Sequence, residues 1–254
     1  MSGFRSHRRE WEELAAVDPL WAILSDPERR GGRWQLDEFF RTGEADVERA
    51  LAVAGELGRP ARRERALDFG CGVGRVTRAL SARFDEAVGV DVAEGMVEQA
   101  RRLNEQVGNA CFLVNAAPDL GQFDDASFDL VYSRIVLQHL RSADDVLRYV
   151  GELLRVTRPG GLVVFQLPAA IPARHRLHLR RRLWTLLRGL GASPGRLHSF
   201  GLSPIRVIGV PREEIERFLA GRGAAVARAE PDDAVAGIPG FQYYVVLSTE
   251  AKQP

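Results

Sequence analysis

The chain has 254 residues, 45% of them apolar and 27% charged, with a formal net charge of +1. That length accommodates one α/β domain of about 200 residues plus an appended cap. A net charge near zero supplies no overall field for nucleic acid, so no nucleic-acid partner is expected. Thirty-four arginines stand against a single lysine, Lys252, a bias that reads as codon usage and carries no chemistry. Only Cys71 and Cys111 are present, residues 1–10 are charged where a secretory leader would be apolar, and no apolar run reaches the roughly 18 residues of a membrane span. The expectation is a protein of the reducing cytoplasm.

Taken in order, residues 1–60 carry Trp11, Trp21, Trp34, Phe39 and Phe40 ahead of a helix over 43–57 with the apolar face Val47, Ala50, Leu51, Ala54 and Leu57. This predicts a helical N-terminal cap, with the main domain over 61–254. Short apolar runs at 66–69, 87–90, 110–114 and 128–133 read as strands, and 75–83 and 93–104 as the helices that follow the first two. A helix over 142–157 has Ser142 as N-cap, and Pro159-Gly160-Gly161 is expected to stop it before a fifth strand at 162–167. A helix at 212–220 precedes two closely spaced strands, 224–229 and 242–248, which read as an antiparallel pair. Tyr243 and Tyr244 alternate on the last of these, so one is expected in the core and one in solvent. Strand–helix alternation of this kind predicts a mostly parallel sheet covered by helices.

The most informative run is Leu67-Asp68-Phe69-Gly70-Cys71-Gly72-Val73-Gly74, a glycine turn between the first strand and its helix, with Asp91 closing the next strand. Glycine at such a turn lets backbone approach a ligand. The dinucleotide fingerprint G-x-G-x-x-G needs its third glycine where Arg75 stands, so that reading fails. The pattern D-x-G-x-G-x-G followed by an acidic residue resembles the class I S-adenosylmethionine (SAM) methyltransferases. The resemblance is dense over residues 60–168, where Asp124 to Tyr132 and Arg158-Pro159-Gly160-Gly161 agree with it, and looser to 248. It implies a Rossmann-like three-layer α/β sandwich, a seven-stranded sheet in the order 3-2-1-4-5-7-6 with an antiparallel last strand, SAM as cofactor, S-adenosylhomocysteine as product, and no metal.

The same resemblance implies where the cofactor would lie. Gly70, Gly72 and Gly74 would meet the methionine and sugar, with Cys71 a small filler between them and Asp68 orienting the loop or meeting the amino group. Asp91 would accept the ribose hydroxyls, Asn115-Ala116 would face the adenine amine, Val92 and Met96 would flank the ring, and Ser133 closes the fourth strand beside the site. His139, after that strand, is the one candidate general base, and a role in capping or packing a helix is an equal alternative. Arg134 could contact an acceptor carboxylate or phosphate.

Two regions lie outside the resemblance. Phe39, Phe40 and Thr42 are expected to complete the pocket from the N-terminal side. The insertion over 168–210 is expected to form a lid whose basic amphipathic helix, 174–190, packs Leu179, Leu183, Leu186, Leu187 and Leu190 on the domain and leaves its arginines in solvent, contact with a membrane surface or an anionic acceptor being the alternative. His175 and His178 lack further ligands for a metal. The favoured reading is methyl transfer to a small-molecule acceptor at oxygen, nitrogen or carbon. A protein or RNA methyltransferase and a non-catalytic SAM-binding protein are the alternatives, and oligomeric state is left open.

Overall fold

The structure is a computed structural model and describes residues 2–172, 177, 179–232 and 237–247. Helices α1 (Ser2–Val17) and α2 (Pro19–Ile23), a 3-10 turn (Pro27–Arg29) and α3 (Leu36–Glu56) come first. They lead into β1 (Arg65–Phe69), α4 (Arg75–Ser81), β2 (Glu86–Asp91), α5 (Glu94–Leu103), β3 (Ala110–Val114) and β4 (Phe128–Ser133). A second 3-10 turn (Leu137–His139), α6 (Ala143–Val156), β5 (Thr157–Pro168), α7 (Leu179–Gly189), α8 (Pro194–Ser199), α9 (Arg212–Ala220), β6 (Ala224–Asp232) and β7 (Gly240–Leu247) follow.

All seven strands join one sheet in the order β3-β2-β1-β4-β5-β7-β6, the order the resemblance implied. Strands β1 to β5 run parallel, and β7 lies antiparallel between β5 and β6. Side chains alternate between the two faces of a strand, and the core divides accordingly. Leu67, Val131, Val163 and Phe165 pack with Val150 and Leu153 of α6 and Ile215 of α9. Their neighbours Ala66, Leu130, Leu162 and Val164 pack with Val47 and Ala50 of α3 and Val76 and Leu80 of α4.

Covering both faces removes any solvent-facing position for the tyrosines of β7. Tyr243 and Tyr244 are both 0% exposed, which corrects the expectation that one reaches water. Tyr243 stacks on Phe165 at 5.0 Å, while Tyr244 joins the α3 side.

Two boundaries also differ from the sequence reading. β5 begins at Thr157 directly after α6, and Gly160 (φ 82°) lies inside it, so Pro159-Gly160-Gly161 does not separate helix from strand. A register shift between Phe128 and Leu130 lets β5 pair through this segment. α3 begins at Leu36, well before residue 43, because Phe39 and Phe40 are packed helical side chains. α3 thus shares a core with the sheet, whereas Leu14 and Ala15 of α1 and Ala22 of α2 pack with Val73, Ala93 and Met96 at the sheet's carboxyl end.

Candidate functional site

One cavity opens at the carboxyl end of β1, β2 and β4, where doubly wound sheets place ligands. Its sheet-end wall is built by Gly70, Gly72, Asp91, Val92, Met96 and Asn115. The turn after β1 is fastened to β2 by the N–H groups of Gly70 and Cys71, which donate to the Val90 carbonyl at 2.8 and 2.9 Å. Gly70 (φ 79°) and Gly72 (φ 53°) occupy backbone conformations that disfavour side chains; a Cβ would lie 2.3 Å from Val136 at the first and 2.4 Å from Ile23 at the second.

Asp91 anchors this wall. Its Oδ2 accepts the Gly72 N–H at 3.0 Å and its Oδ1 the Ala93 N–H at 2.9 Å, so each oxygen retains capacity for a further donor. Burial pushes the carboxyl up to about 6, with the backbone N–H groups of Ala93, Gly72 and Val92 opposing and the charge of Glu12 adding to the rise. The Asn115 N–H donates to the Asp91 carbonyl at 2.7 Å, which sets a buried amide beside the carboxylate.

The other residues expected at the cofactor lie behind this wall. Asp68 is buried beneath the turn and accepts the Thr77 hydroxyl at 2.7 Å; burial raises it to about 6. That geometry matches loop orientation and leaves the carboxylate away from the cavity lining. Cys71 packs with Val97, Ala100 and Phe112, and burial pushes its thiol up. Gly74 caps α4, facing Phe112 and Asn104. Ser133 donates to the Phe69 carbonyl at 3.1 Å, and Ala116 is exposed; none of these five lines the cavity.

The facing wall comes from distant parts of the chain: Phe4, His7 and Trp11 of α1, Ile23 of α2, and Ile135, Val136 and His139 after β4. Ile135 holds φ 60°, a strained conformation for a β-branched residue, at the point where this segment bends over the cavity. His139 Nδ1 lies 2.6 Å from the Arg206 carbonyl. Because a carbonyl only accepts, the proton resides on Nδ1, and the Nε2 lone pair accepts from the Gln138 side-chain amide at 3.4 Å. Burial lowers His139 to about 4, so the ring is neutral at neutral pH. Trp11 meets it edge-on at 5.4 Å. His7 is likewise lowered to about 4, by burial first and then by His139 and the charges of Arg206 and Arg141.

Arg134 also borders the cavity, but its charge is already engaged: Nε lies 3.2 Å from Asp46, and Nη1 2.6 Å from Asp232 and 2.7 Å from Gln242. Asp46 in turn holds Arg75 at 2.7 Å, the residue that displaced the third glycine. Phe39, Phe40 and Thr42, expected at the pocket, are elsewhere. Phe39 is fully buried with Leu14 and Met96, Phe40 lies under the Arg78 guanidinium at 4.7 Å, and Thr42 receives Arg75 at 3.3 Å. Phe4, His7 and Trp11 line the N-terminal side of the cavity instead, and the aromatic density of the N-terminus was the sequence signal for that side.

The insertion turns its helix the other way round from expectation. On α7, Arg181 and Arg188 face inward to Glu10 (2.6 Å) and Glu13 (2.7 Å) of α1, and Trp184 is the buried apolar residue. Leu179, Leu183, Leu186 and Leu190 are exposed. α8 is held by His198, 3.2 Å from the buried Asp18 carboxylate. Arg174, His175 and His178 lie outside the described residues. Among the described residues no three His, Cys, Asp or Glu side chains are grouped for a metal, and no helix is long and apolar enough to cross a membrane.

The donor set of the sheet-end wall suits an adenosyl group: a carboxylate with spare acceptor capacity at the end of β2, side-chain-free backbone at the turn, and a buried amide at the end of β3. Residues 67–165 match the family model described as a methyltransferase domain. Over that stretch the chain is similar to methyltransferase domains. The chain is 40% identical over 103 residues to 24-methylenesterol C-methyltransferase 2 of Oryza sativa subsp. japonica, covering 39% of this chain and 28% of that one. It is 37% identical over 113 residues to the malonyl-(acyl-carrier protein) O-methyltransferase of Erwinia pyrifoliae, covering 43% and 39%. The chain therefore spans less than half the length of either relative. The fold extends further: magnesium protoporphyrin IX methyltransferase of Synechocystis PCC 6803, solved with bound S-adenosylhomocysteine, superimposes with a TM-score of 0.64 over 96% of this chain and 99% of that one, at 20% identity.

Proposed function

We propose that the protein transfers a methyl group from SAM to a small-molecule acceptor by in-line displacement. The observation that carries this reading is one cavity in which Asp91, Gly70, Gly72 and Asn115 line one side and the aromatic side chains of Phe4 and Trp11, with the His139 ring, line the other. SAM, when bound, supplies a methyl carbon on a sulfonium. In this reading Asp91 accepts the ribose hydroxyls, Asn115 faces the adenine, and Val92 and Met96 flank its ring. The backbone at Gly70 and Gly72 receives the methionine end, while Asp68, Cys71, Gly74 and Ser133 hold the turn from behind.

Displacement at a sulfonium needs alignment and exclusion of water more than acid or base. Phe4, Trp11 and Ile23 supply the dry wall that such alignment requires. His139 adds a proton acceptor for a hydroxyl nucleophile, held in the right tautomer by the Arg206 carbonyl. The buried thiol of Cys71 and the exposed one of Cys111, both free, support a reducing cytoplasm as its location.

Label from methyl-tritiated SAM, incubated with a small-molecule cell extract, is expected in the small-molecule fraction. Label in protein or RNA would favour a macromolecular acceptor, and SAM binding without any transfer would favour a non-catalytic protein. With the acceptor in hand, His139→Gln should lower kcat by about a hundredfold or more and leave the Kd of SAM unchanged. A kcat near wild type would remove the base from the mechanism.

A further inference from the structure

The segment between β5 and α9 carries chemistry that the cavity does not use. Residues 168–210 contain eight arginines and no aspartate or glutamate, in a chain whose net charge is only +1. Among the described residues, the same segment holds six of the seven large apolar side chains that are exposed: Leu177 (53%), Leu179 (66%), Leu183 (44%), Leu186 (61%), Leu190 (76%) and Phe200 (77%). Exposed apolar surface and an excess of positive charge thus coincide on one part of the molecule.

On α7 the two kinds of residue are sorted by direction. The inward arginines, Arg181 and Arg188, are neutralised by Glu10 and Glu13, which clamps the helix to α1. Its outer side carries Leu179, Leu183 and Leu186 at the spacing of a single helical stripe, with Leu190 just past its end. Arg180 and Arg182 beside them are exposed, as is Arg196 on α8 next to Phe200. Turning the leucines inward would break both ion pairs with α1 and expose Trp184, so the apolar stripe is held outward by the same contacts that dock the helix. Such a stripe costs free energy in water unless something covers it.

We infer that α7 and Phe200 dock on the surface of an anionic lipid bilayer. The leucines enter the boundary between headgroups and acyl chains, and the flanking arginines meet lipid phosphates. Charge decides this occupant over a second copy of the chain. A symmetric pairing through this face would set arginine-rich surfaces with no acidic residues of their own against each other. Further along the same segment, the Arg206 carbonyl holds the His139 ring at the cavity.

The test is co-sedimentation of the full chain with vesicles of phosphatidylcholine alone and of phosphatidylcholine with phosphatidylglycerol. Binding is expected to the anionic vesicles and to be weaker to the neutral ones. The double substitution Leu183→Ser, Leu186→Ser should weaken it on the order of a hundredfold. Arg180→Ser with Arg182→Ser should weaken it by roughly a factor of five per arginine. Unchanged SAM affinity in both variants would show that they remain folded. Absence of binding to anionic vesicles, equal binding to both vesicle types, or binding indifferent to the leucine substitutions would each overturn the inference. So would a dimer in size-exclusion chromatography that the leucine substitutions dissolve. Vesicle binding needs no turnover, so its failure leaves the methyltransferase reading standing.

Discussion

The two walls of the cavity are built by different means. At the sheet end the working groups are backbone N–H and C=O at a glycine turn plus one carboxylate, all set by residues within one β-α-β unit. The opposite wall is made of side chains from α1, α2 and the segment after β4, brought together by tertiary packing. The first wall suits a ligand with fixed chemistry and the second one that varies. On the proposed function, specificity for the acceptor is assigned to the helical wall, where a substitution can change the surface without disturbing the strand ends.

Arg134 is where this division is most easily broken. If its guanidinium is the tie between Asp46 and Asp232, Arg134→Ala should destabilise the fold by about 3 kcal/mol, because two largely buried carboxylates lose a shared cation. Chemical denaturation measures this; a variant of normal stability whose acceptor KM alone rises would return Arg134 to the acceptor. Trp11→Ala sharpens the contrast next. Removing a half-buried aromatic from the helical wall should lower kcat/KM for the acceptor by about thirtyfold, roughly 2 kcal/mol, while the Kd of SAM stays within about twofold. A comparable loss of SAM affinity would show that the walls do not act separately.

The smallest effect is the pH dependence of the sheet-end wall. Asp91 titrates at about 6 in the free protein, and donated ribose hydroxyls select its ionised form. SAM affinity should therefore be flat above pH 6 and fall by up to about tenfold per unit below it in calorimetric titrations. Stability of the free protein has the opposite sign. A carboxyl raised above its ordinary value contributes most at low pH, and that contribution is lost as pH rises through about 6. An affinity that does not change between pH 7 and pH 5 would remove the ionised carboxylate from the binding site.

The same division explains how much of the molecule was legible in its sequence. The glycine turn and Asp91 could be read because strand, turn, helix and acid follow one another locally, and the sheet order came with the resemblance that those residues carry. Trp11 and His139 are far apart in the chain and meet edge-on in space, a contact no local pattern announces. The amphipathic pattern of α7 revealed two faces and could not say which was inward. Glu10 and Glu13 decide it, and they belong to another helix. Arg134 looked available for a ligand because Asp46 and Asp232 lie on α3 and β6. The two tyrosines of β7 were split between core and solvent because alternation separates faces without telling that both are covered.

The most direct test of the central claim, that the end of β2 and the turn beneath it hold the cofactor, is calorimetric titration of SAM into the wild-type protein and Asp91→Ala. Loss of two charge-assisted hydrogen bonds should raise the Kd on the order of a hundredfold, with the fold retained by circular dichroism. An unchanged Kd in the folded variant would contradict the account.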